Sequence, residues 1–449
     1  MKKVMAFLIT FLPIIAFTQK NHAVLMDQYL QAQMKVHNFS GAVLVMQQNK
    51  TVLQKGYGLA DKEWNIANTP EGKFEIGSMT KQFTAACILQ LIEKGKLHFD
   101  DKLSRFYPDF PKGDSVTIYM LLNHTSGIPI FTAQPDFSSY ERLSLSADSM
   151  VNYFKNRSYD FSPGKRFRYN NAGFFLLGHI VEKVTGESLD VYLRKNILDK
   201  LGMQHTGSNK LDSILPMRVR GYSKDKNASF ISMEWPHGAG YLYSTVEDLY
   251  KWDRALYGTA ILTNASKQKM FTHGMGNYGF GLFIDSFFHH YRIHHAGGIN
   301  GFSANMIRFP NDNACVIVLC NNDNIAWTIA DGLAAILFNQ DYELPVKREA
   351  KNIDFLLLKN VIGTYTLATP VLYSKEIALT SKGNHLLLHQ ADLDIADFPL
   401  NFEFIPASED IFYNEDFLME LQFVRDKNGA IKQAYILGGG VRVKMKKMK

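Results

Sequence analysis

Four serines in the chain stand three residues before a lysine: Ser78, Ser162, Ser223 and Ser266. At that spacing a hydroxyl and an amine lie on one face of a helix. A neutral amine there can take the hydroxyl proton and leave a nucleophilic oxygen. Context separates the four copies. Pro163 and Gly164 keep the Ser162 copy from forming a helical turn, and the Ser223 copy sits in a polar loop. The Ser266 copy lies on a surface helix beside Lys267 and Lys269. Only Ser78-Met79-Thr80-Lys81 follows a glycine and opens a strongly apolar helix, whose N-terminus favours developing negative charge. Taken alone the pair also fits a helix-capping serine with a surface lysine. A lysine at its ordinary pKa needs about 4.6 kcal/mol to be neutral at pH 7, so the chemical reading requires burial beside other cations.

The stretch Glu75-Ile76-Gly77-Ser78-Met79-Thr80-Lys81 resembles the nucleophile motif of the superfamily of class C β-lactamases, penicillin-binding D-alanyl-D-alanine peptidases and related esterases. Leu121-Leu122-Asn123-His124-Thr125-Ser126-Gly127-Ile128 is similar to a loop of that family. So is Phe161-Ser162-Pro163-Gly164 running into Tyr169-Asn170-Asn171, the only Tyr-x-Asn among 21 tyrosines. The resemblance covers roughly residues 24 to 340. It implies that Tyr169 shuttles the proton among Ser78, the leaving group and water, and that Asn171 holds Lys81 and the substrate amide. A tyrosine serves as a base only beside a cation, and Lys81 is the obvious one. The family's third motif, Lys-Thr-Gly or a His variant on a strand, has two candidates. His205-Thr206-Gly207 follows a helix end, whereas His295-Ala296-Gly297-Gly298 ends a β-patterned run and precedes another strand. The second has the required context. The resemblance then places His295 in the substrate site, lets substrate approach the backbone at Gly297 and Gly298, and pairs the Gly298 N–H with the Ser78 N–H as an oxyanion hole. His205, His124 and Arg168 are read as structural.

Other chemistry finds less support. On one strand His289 and His295 face one way while His290 and His294 face the other, with same-face pairs about 13 to 20 Å apart. No nearby carboxylate or cysteine completes a zinc set, so no metal or organic cofactor is expected. Cys315 and Cys320 bracket the apolar run Val316–Leu319, which reads as a buried strand. Five residues at ~3.3 Å separate the two by about 16 Å, too far for a disulfide.

These residues need a scaffold, and the pattern supplies one. Val24–Met34 reads as a helix, followed by strands Gly41–Met46 and Thr51–Gly58 about a Gln48-Asn49-Lys50 turn. Helical segments broken by Pro and Gly fill residues 100–275. Strand patterns return at Tyr278–Ile284, Tyr291–His295, Ala304–Phe309 and Cys315–Cys320, and Ile325–Phe338 reads as a closing helix. Strands at both ends of a helical insertion imply an α/β fold: one antiparallel sheet flanked by helices, with a helical subdomain. Residues 341–352 turn charged around Pro345 and read as a linker. Beyond it the runs Ile377–Thr380, Leu386–His389, Phe402–Ile405, Leu418–Val424 and Ile431–Leu437 predict an all-β barrel or sandwich over 353–449. Asp426-Lys427-Asn428-Gly429 serves as a hairpin turn. This unit, with Gly363-Thr364-Tyr365 at its start, resembles the lipocalin-like domains appended to some relatives. Substrate gating, assembly and wall contact all stay open as its role.

With 449 residues, two domains plus a leader are expected. The formal net charge is +6, but Lys2, Lys3 and the four lysines within Lys444–Lys449 account for it. The remainder is neutral, which argues against a nucleic-acid face. The lysine-rich terminus reads as a solvated end. Lys2 and Lys3 precede the apolar run Val4–Phe17, too short to span a bilayer and ordered like a signal peptide. Residues 1–19 are therefore expected to be removed, leaving a periplasmic or secreted protein with no membrane span. The expected function is a serine hydrolase that forms an acyl-enzyme on amide or ester bonds of D-amino-acid peptides or small esters, cell-wall peptides among them. A β-lactamase, and a non-catalytic receptor for wall peptides or β-lactams, are the alternatives.

Overall fold

The computed structural model describes residues 21–209, 213–322, 326–371, 374–390 and 401–448; the expected leader lies outside them. Helix α1 (His22–His37) leads into strands β1 (Gly41–Gln47) and β2 (Lys50–Tyr57), joined at Gln48 and Asn49, both with positive φ. Helix α2 (Thr80–Glu93) carries the Ser-x-x-Lys pair at its start. Helix α3 (Asn171–Thr185) and helix α4 (Val246–Ala255) belong to the helical insertion. The sheet is completed by β3 (Phe283–Phe287), β4 (His290–Ile299), β5 (Phe302–Phe309) and β6 (Ala314–Cys320), and helix α5 (Ala326–Leu337) follows. The strand order is β3-β4-β5-β6-β1-β2 and every pairing is antiparallel.

The central strands are apolar throughout because both faces are covered. Ala42, Leu44 and Met46 of β1, with Cys315, Ile317 and Leu319 of β6, join one core with α2 and the helical insertion. Val43 and Val45, with Val316, Val318 and Cys320, face the opposite way into a second core with α1 and α5. Helix α2 is buried on every side from Thr80 through Leu91. Cys87, Cys315 and Cys320 are free thiols in these cores. One expected strand is corrected. Tyr278–Ile284 is not continuous, because Gly281 takes a positive φ, the chain folds back with Tyr278 opposite Phe283, and β3 begins only there.

The C-terminal unit is a closed eight-stranded barrel. Its strands are β7 (Gly363–Val371), β8 (Ser374–Lys382), β9 (His385–Gln390), β10 (Asn401–Pro406), β11 (Ile411–Asn414), β12 (Met419–Arg425), β13 (Ile431–Gly438) and β14 (Val441–Lys447). Alternate residues such as Leu386, Leu388, Phe402, Phe404, Leu421 and Phe423 are buried, as expected for a barrel of this size filled by its own side chains. The lysine-rich terminus is corrected. Val441, Val443 and Met445 point inward while Lys444, Lys446 and Lys447 are exposed, so this segment is the strand that closes the barrel against β7. Residues 341–352 hold no helix or strand but lie along the barrel. The Glu343 N–H donates to Gly440 O at 2.8 Å, and Arg348 grips both oxygens of Glu420 at 2.9 and 2.8 Å.

The barrel docks on helices α1 and α5 through the β13–β14 turn. Buried Tyr29 of α1 donates its hydroxyl to Gly439 O at 2.5 Å. Gly439 has φ +56, and a Cβ there would lie 2.1 Å from Thr328 O of α5. Gly439→Ala is therefore expected to destabilise the protein by about 1–3 kcal/mol, the usual cost of overpacking. Denaturant unfolding measures it, and an unchanged midpoint would show that this docking contributes nothing.

Candidate active site

Sequence dictates how the nucleophile enters its helix. Gly77 has φ +49 and begins a single 3-10 turn, Gly77–Met79, that feeds α2 and leaves Ser78 part-exposed at the helix start. Lys81, one turn on, is fully buried. Its Nζ lies 2.9 Å from Ser78 Oγ, 2.8 Å from Asn171 Oδ1 and 2.9 Å from the carbonyl oxygen of Ala239. The Nζ hydrogens reach the two carbonyl oxygens, and the same nitrogen stands within hydrogen-bond distance of the Ser78 hydroxyl. Nζ also lies 4.8 Å from the Tyr169 ring centroid and 5.7 Å from that of Phe174.

The two motif loops explain each other. His124 O accepts from the Arg168 N–H at 3.0 Å, His124 Nδ1 accepts from the Asn170 N–H at 3.1 Å, and Asn170 Nδ2 donates to Ile128 O at 2.7 Å. Asn170 Oδ1 then caps α3 by accepting from the Ala172 N–H at 2.8 Å. The segment 121–128 thereby fixes Tyr169 and Asn171 on either side of the helix start. Tyr169, nearly buried, lies against His124 with ring centroids 4.3 Å apart, and Tyr278 flanks the same histidine at 4.6 Å.

On the other side, β4 crosses the nucleophile turn at van der Waals contact. A Cβ on Gly297 would fall 2.0 Å from Ile76 O and 3.1 Å from Ser78 N; one on Gly77 would fall 2.7 Å from Gly298 O. Glycine is required at both points. Gly298 is exposed, and a Cβ there would meet nothing within 4 Å, so the space beside this residue is open. His295 is buried, and both ring nitrogens are engaged. Nδ1 faces its neighbour's carbonyl, Ala296 O, which can only accept, so Nδ1 carries the proton and Nε2 accepts from the Tyr278 hydroxyl at 3.1 Å. Burial, with the Lys81 charge adding to it, pushes the His295 pKa down to about 3.

The other candidates separate from this centre. The His205 N–H and Thr206 hydroxyl both go to Asp248, and Arg168 pairs with Asp160 at 3.3 Å. His290 pairs with Asp312 and stacks on Phe338, while His294 faces Asp285; His290, His294 and His295 thus turn to different partners. Sequence reasoning missed the Ala239 carbonyl, which has no side-chain signature, and Tyr278, one tyrosine among many. Ala239 is held because Thr84 donates to Gly238 O at 2.7 Å and the Leu242 N–H donates to Thr80 Oγ1 at 3.3 Å; both threonines lie on α2.

A sheet with α2 in the core on one face and a serine–lysine pair at that helix's start define a class. Residues 26–338 match the Beta-lactamase family model, and the chain belongs to that family. It is 28% identical over 427 residues to penicillin-binding protein 4* of Bacillus subtilis, covering 88% of this chain and 92% of that one. The octameric penicillin-binding protein homologue from Pyrococcus abyssi superposes with a TM-score of 0.64 at 25% identity, covering 94% of this chain and 99% of that chain. A D-stereospecific amidohydrolase from Streptomyces sp. superposes with a TM-score of 0.58 at 25% identity, covering 67% and 94%. Among the described residues no helix is long and apolar enough to cross a membrane.

The depressed His295 pKa gives a test. Its folded value lies below the ordinary ~6.5, so the neutral ring's contribution to stability is whole above pH 6.5 and is lost as pH falls toward 3. Histidine 15N spectra are expected to show an Nδ1-protonated neutral ring for His295, unchanged from pH 8 to pH 5. A midpoint near 6.5 would mean that the ring is exposed.

Proposed function

We propose that the protein is an exported serine hydrolase that forms an acyl-enzyme at Ser78 on amide or ester bonds of D-amino-acid peptides or small esters. The observation that carries this reading is the Lys81 amine, buried and shared among Ser78 Oγ, Asn171 Oδ1 and Ala239 O. A solvated surface pair would need none of these supports. In the proposed reaction Ser78 Oγ attacks the carbonyl carbon as its proton passes to the Lys81–Tyr169 pair. The Ser78 and Gly298 N–H groups receive the oxyanion, where a single such donor is worth about 10²–10³ in rate. The proton then goes to the departing amine or alcohol, and water, deprotonated by the same pair, releases the acyl group. Asn171, with Oδ1 committed to Lys81, turns its Nδ2 end toward the substrate amide. Gly297 allows β4 to run this close to the nucleophile.

The neutral, internally bonded His295 supports a preference for substrates without a carboxylate to be paired. The likeness to an amidohydrolase described as D-stereospecific supports the substrate class. Export rests on Lys2, Lys3 and the apolar run after them. The division into a hydrolase unit (20–340) and a β-rich unit (353–449), joined by 341–352, belongs to this proposal. The β-lactamase and receptor readings are the competing outcomes.

Two measurements test it. A fluorophosphonate or β-lactam probe is expected to add mass to the tryptic peptide containing Ser78, and Ser78→Ala to abolish the label. Lys81→Ala is expected to fold yet acylate about 10²- to 10⁴-fold more slowly, and label on Ser162 or Ser266 would overturn the assignment. In steady-state kinetics a p-nitrophenyl ester or a D-amino-acid amide is expected to turn over faster than penicillin. Rapid penicillin hydrolysis at pH 8 would favour the β-lactamase, and no turnover of any of them the receptor.

A further inference from the structure

Outside the catalytic centre, one set of metal-ligating side chains converges among the described residues: His179, Glu182 and His237, whose ligand atoms all lie within 4.8 Å of one another. We propose that these three residues bind a divalent transition-metal ion of the zinc class, and that this ion braces the backbone that holds the catalytic lysine.

The argument starts from the helix. His179 and Glu182 are i and i+3 on α3 and share a face. His179 Nδ1 lies 2.7 Å from Glu182 Oε2, while His237 Nε2 lies 3.4 Å from Glu182 Oε1. Tetrahedral zinc, with ligand bonds of about 2.0–2.1 Å, separates its ligands by about 3.3 Å, and the two observed edges bracket that value. The His179 and His237 rings stack at 4.3 Å with a 26° tilt; they must open further for both lone pairs to meet one ion.

The contact between His237 and Glu182 is loose as it stands. His237 Nε2 is buried and meets Glu182 Oε1 only at 3.4 Å, a long and poorly aligned contact. As a bare acceptor it sets a lone pair against negative charge; as a donor it leaves its proton poorly used. An ion between nitrogen and carboxylate answers both. A neutral imidazole is the form that ligates. On binding, the Nδ1 proton moves to Nε2, so the ring stays neutral and Nδ1 gives its lone pair to the metal. Glu182 is already oriented, since Oε1 accepts from the Leu189 N–H at 3.0 Å, the kind of outer contact that fixes ligand carboxylates. Two nitrogens and one carboxylate suit zinc, whereas magnesium and calcium favour all-oxygen sets. His237 also lines a pocket with Asp190, Ser208, Asn209, Glu234 and Tyr241, from which water can supply the fourth ligand.

The placement gives the ion a use. Helix α3 begins at Asn171, and His237 stands two residues before Ala239; both Asn171 and Ala239 hold Lys81. Gly238 packs on the same helix, where a Cβ would lie 2.6 Å from Phe174 O. An ion joining His179, Glu182 and His237 fastens these two supports to each other from behind. It takes no part in the acyl transfer.

The test uses the full chain, stripped with a chelator and titrated with Co²⁺ and then Zn²⁺. One Co²⁺ per chain is expected, with the visible bands of a four-coordinate ion, displaced by Zn²⁺. His237→Gln and His179→Gln should each weaken binding by at least the roughly 10- to 100-fold that even outer-shell partners are worth. Zn²⁺ should raise the Tm of the parent protein and leave those variants unmoved. Glu182→Gln also loses a charged acceptor for Leu189 and can fail to fold, so the histidine variants carry the test. Equal binding by parent and folded variants would assign the ion to surface histidines and overturn the proposal. Absence of stoichiometric binding would do the same, leaving a hydrogen-bonded triad.

Discussion

A buried amine with three oxygen partners is the constraint around which this molecule is arranged. Lys81 lies under the helical insertion at full burial, and each oxygen near its Nζ comes from a different part of the chain. Placing them together requires the nucleophile turn, the start of α3 and the 236–240 segment to meet at one point. Buried polar groups are costly unless satisfied, so this convergence specifies the packing of the helical insertion on α2 as much as it specifies chemistry. Thr80 and Thr84, on α2 with Lys81, tie the 238–242 backbone in place and keep the amine's distances short.

The sheet imposes the second constraint. The β4 backbone passes so close to the nucleophile turn that glycine is needed on both sides of the crossing. That closeness places Gly298 beside a helix N-terminus, a feature that favours negative charge. It also confines His295 to a buried position, where Tyr278 and a backbone carbonyl occupy its nitrogens. The His295 ring also lies 6.0 Å from that of Tyr169.

Much of this was legible in the sequence, for reasons that differ by residue. Ser78 and Lys81 sit within one helical turn, so spacing and the apolar run after them were enough to choose them from four copies. The choice of His295-Ala296-Gly297-Gly298 over His205-Thr206-Gly207 rested on strand context, and the structure places the first beside Ser78 and the second against Asp248 and Ser244. The sheet was readable because strands buried on both faces are unbroken apolar runs. Ala239 was not, since a backbone carbonyl has no residue type to signal it. Tyr278 stands in an apolar run that reads as one strand, and only the positive φ of Gly281 folds it back. The closing barrel strand was hidden by composition: lysines at alternate positions drew attention away from Val441, Val443 and Met445 between them. His179 and Glu182 share a helix face, but His237 comes from a distant segment and only folding brings it near.

The contact between Tyr29 and Gly439 joins residues 410 positions apart in sequence. Contacts of such long range close late, because a large loop must be ordered before they repay its entropy. During synthesis the hydrolase sheet can gather its strands while β13 and β14 have yet to emerge, and the apolar side of α1 and α5 waits uncovered. Completion of the last hairpin is then the event that seals both cores. The barrel, its lumen filled by its own side chains, works as a stopper whose arrival marks a finished molecule, and a chain cut short in its final strand would present an open apolar seam to whatever quality control it meets.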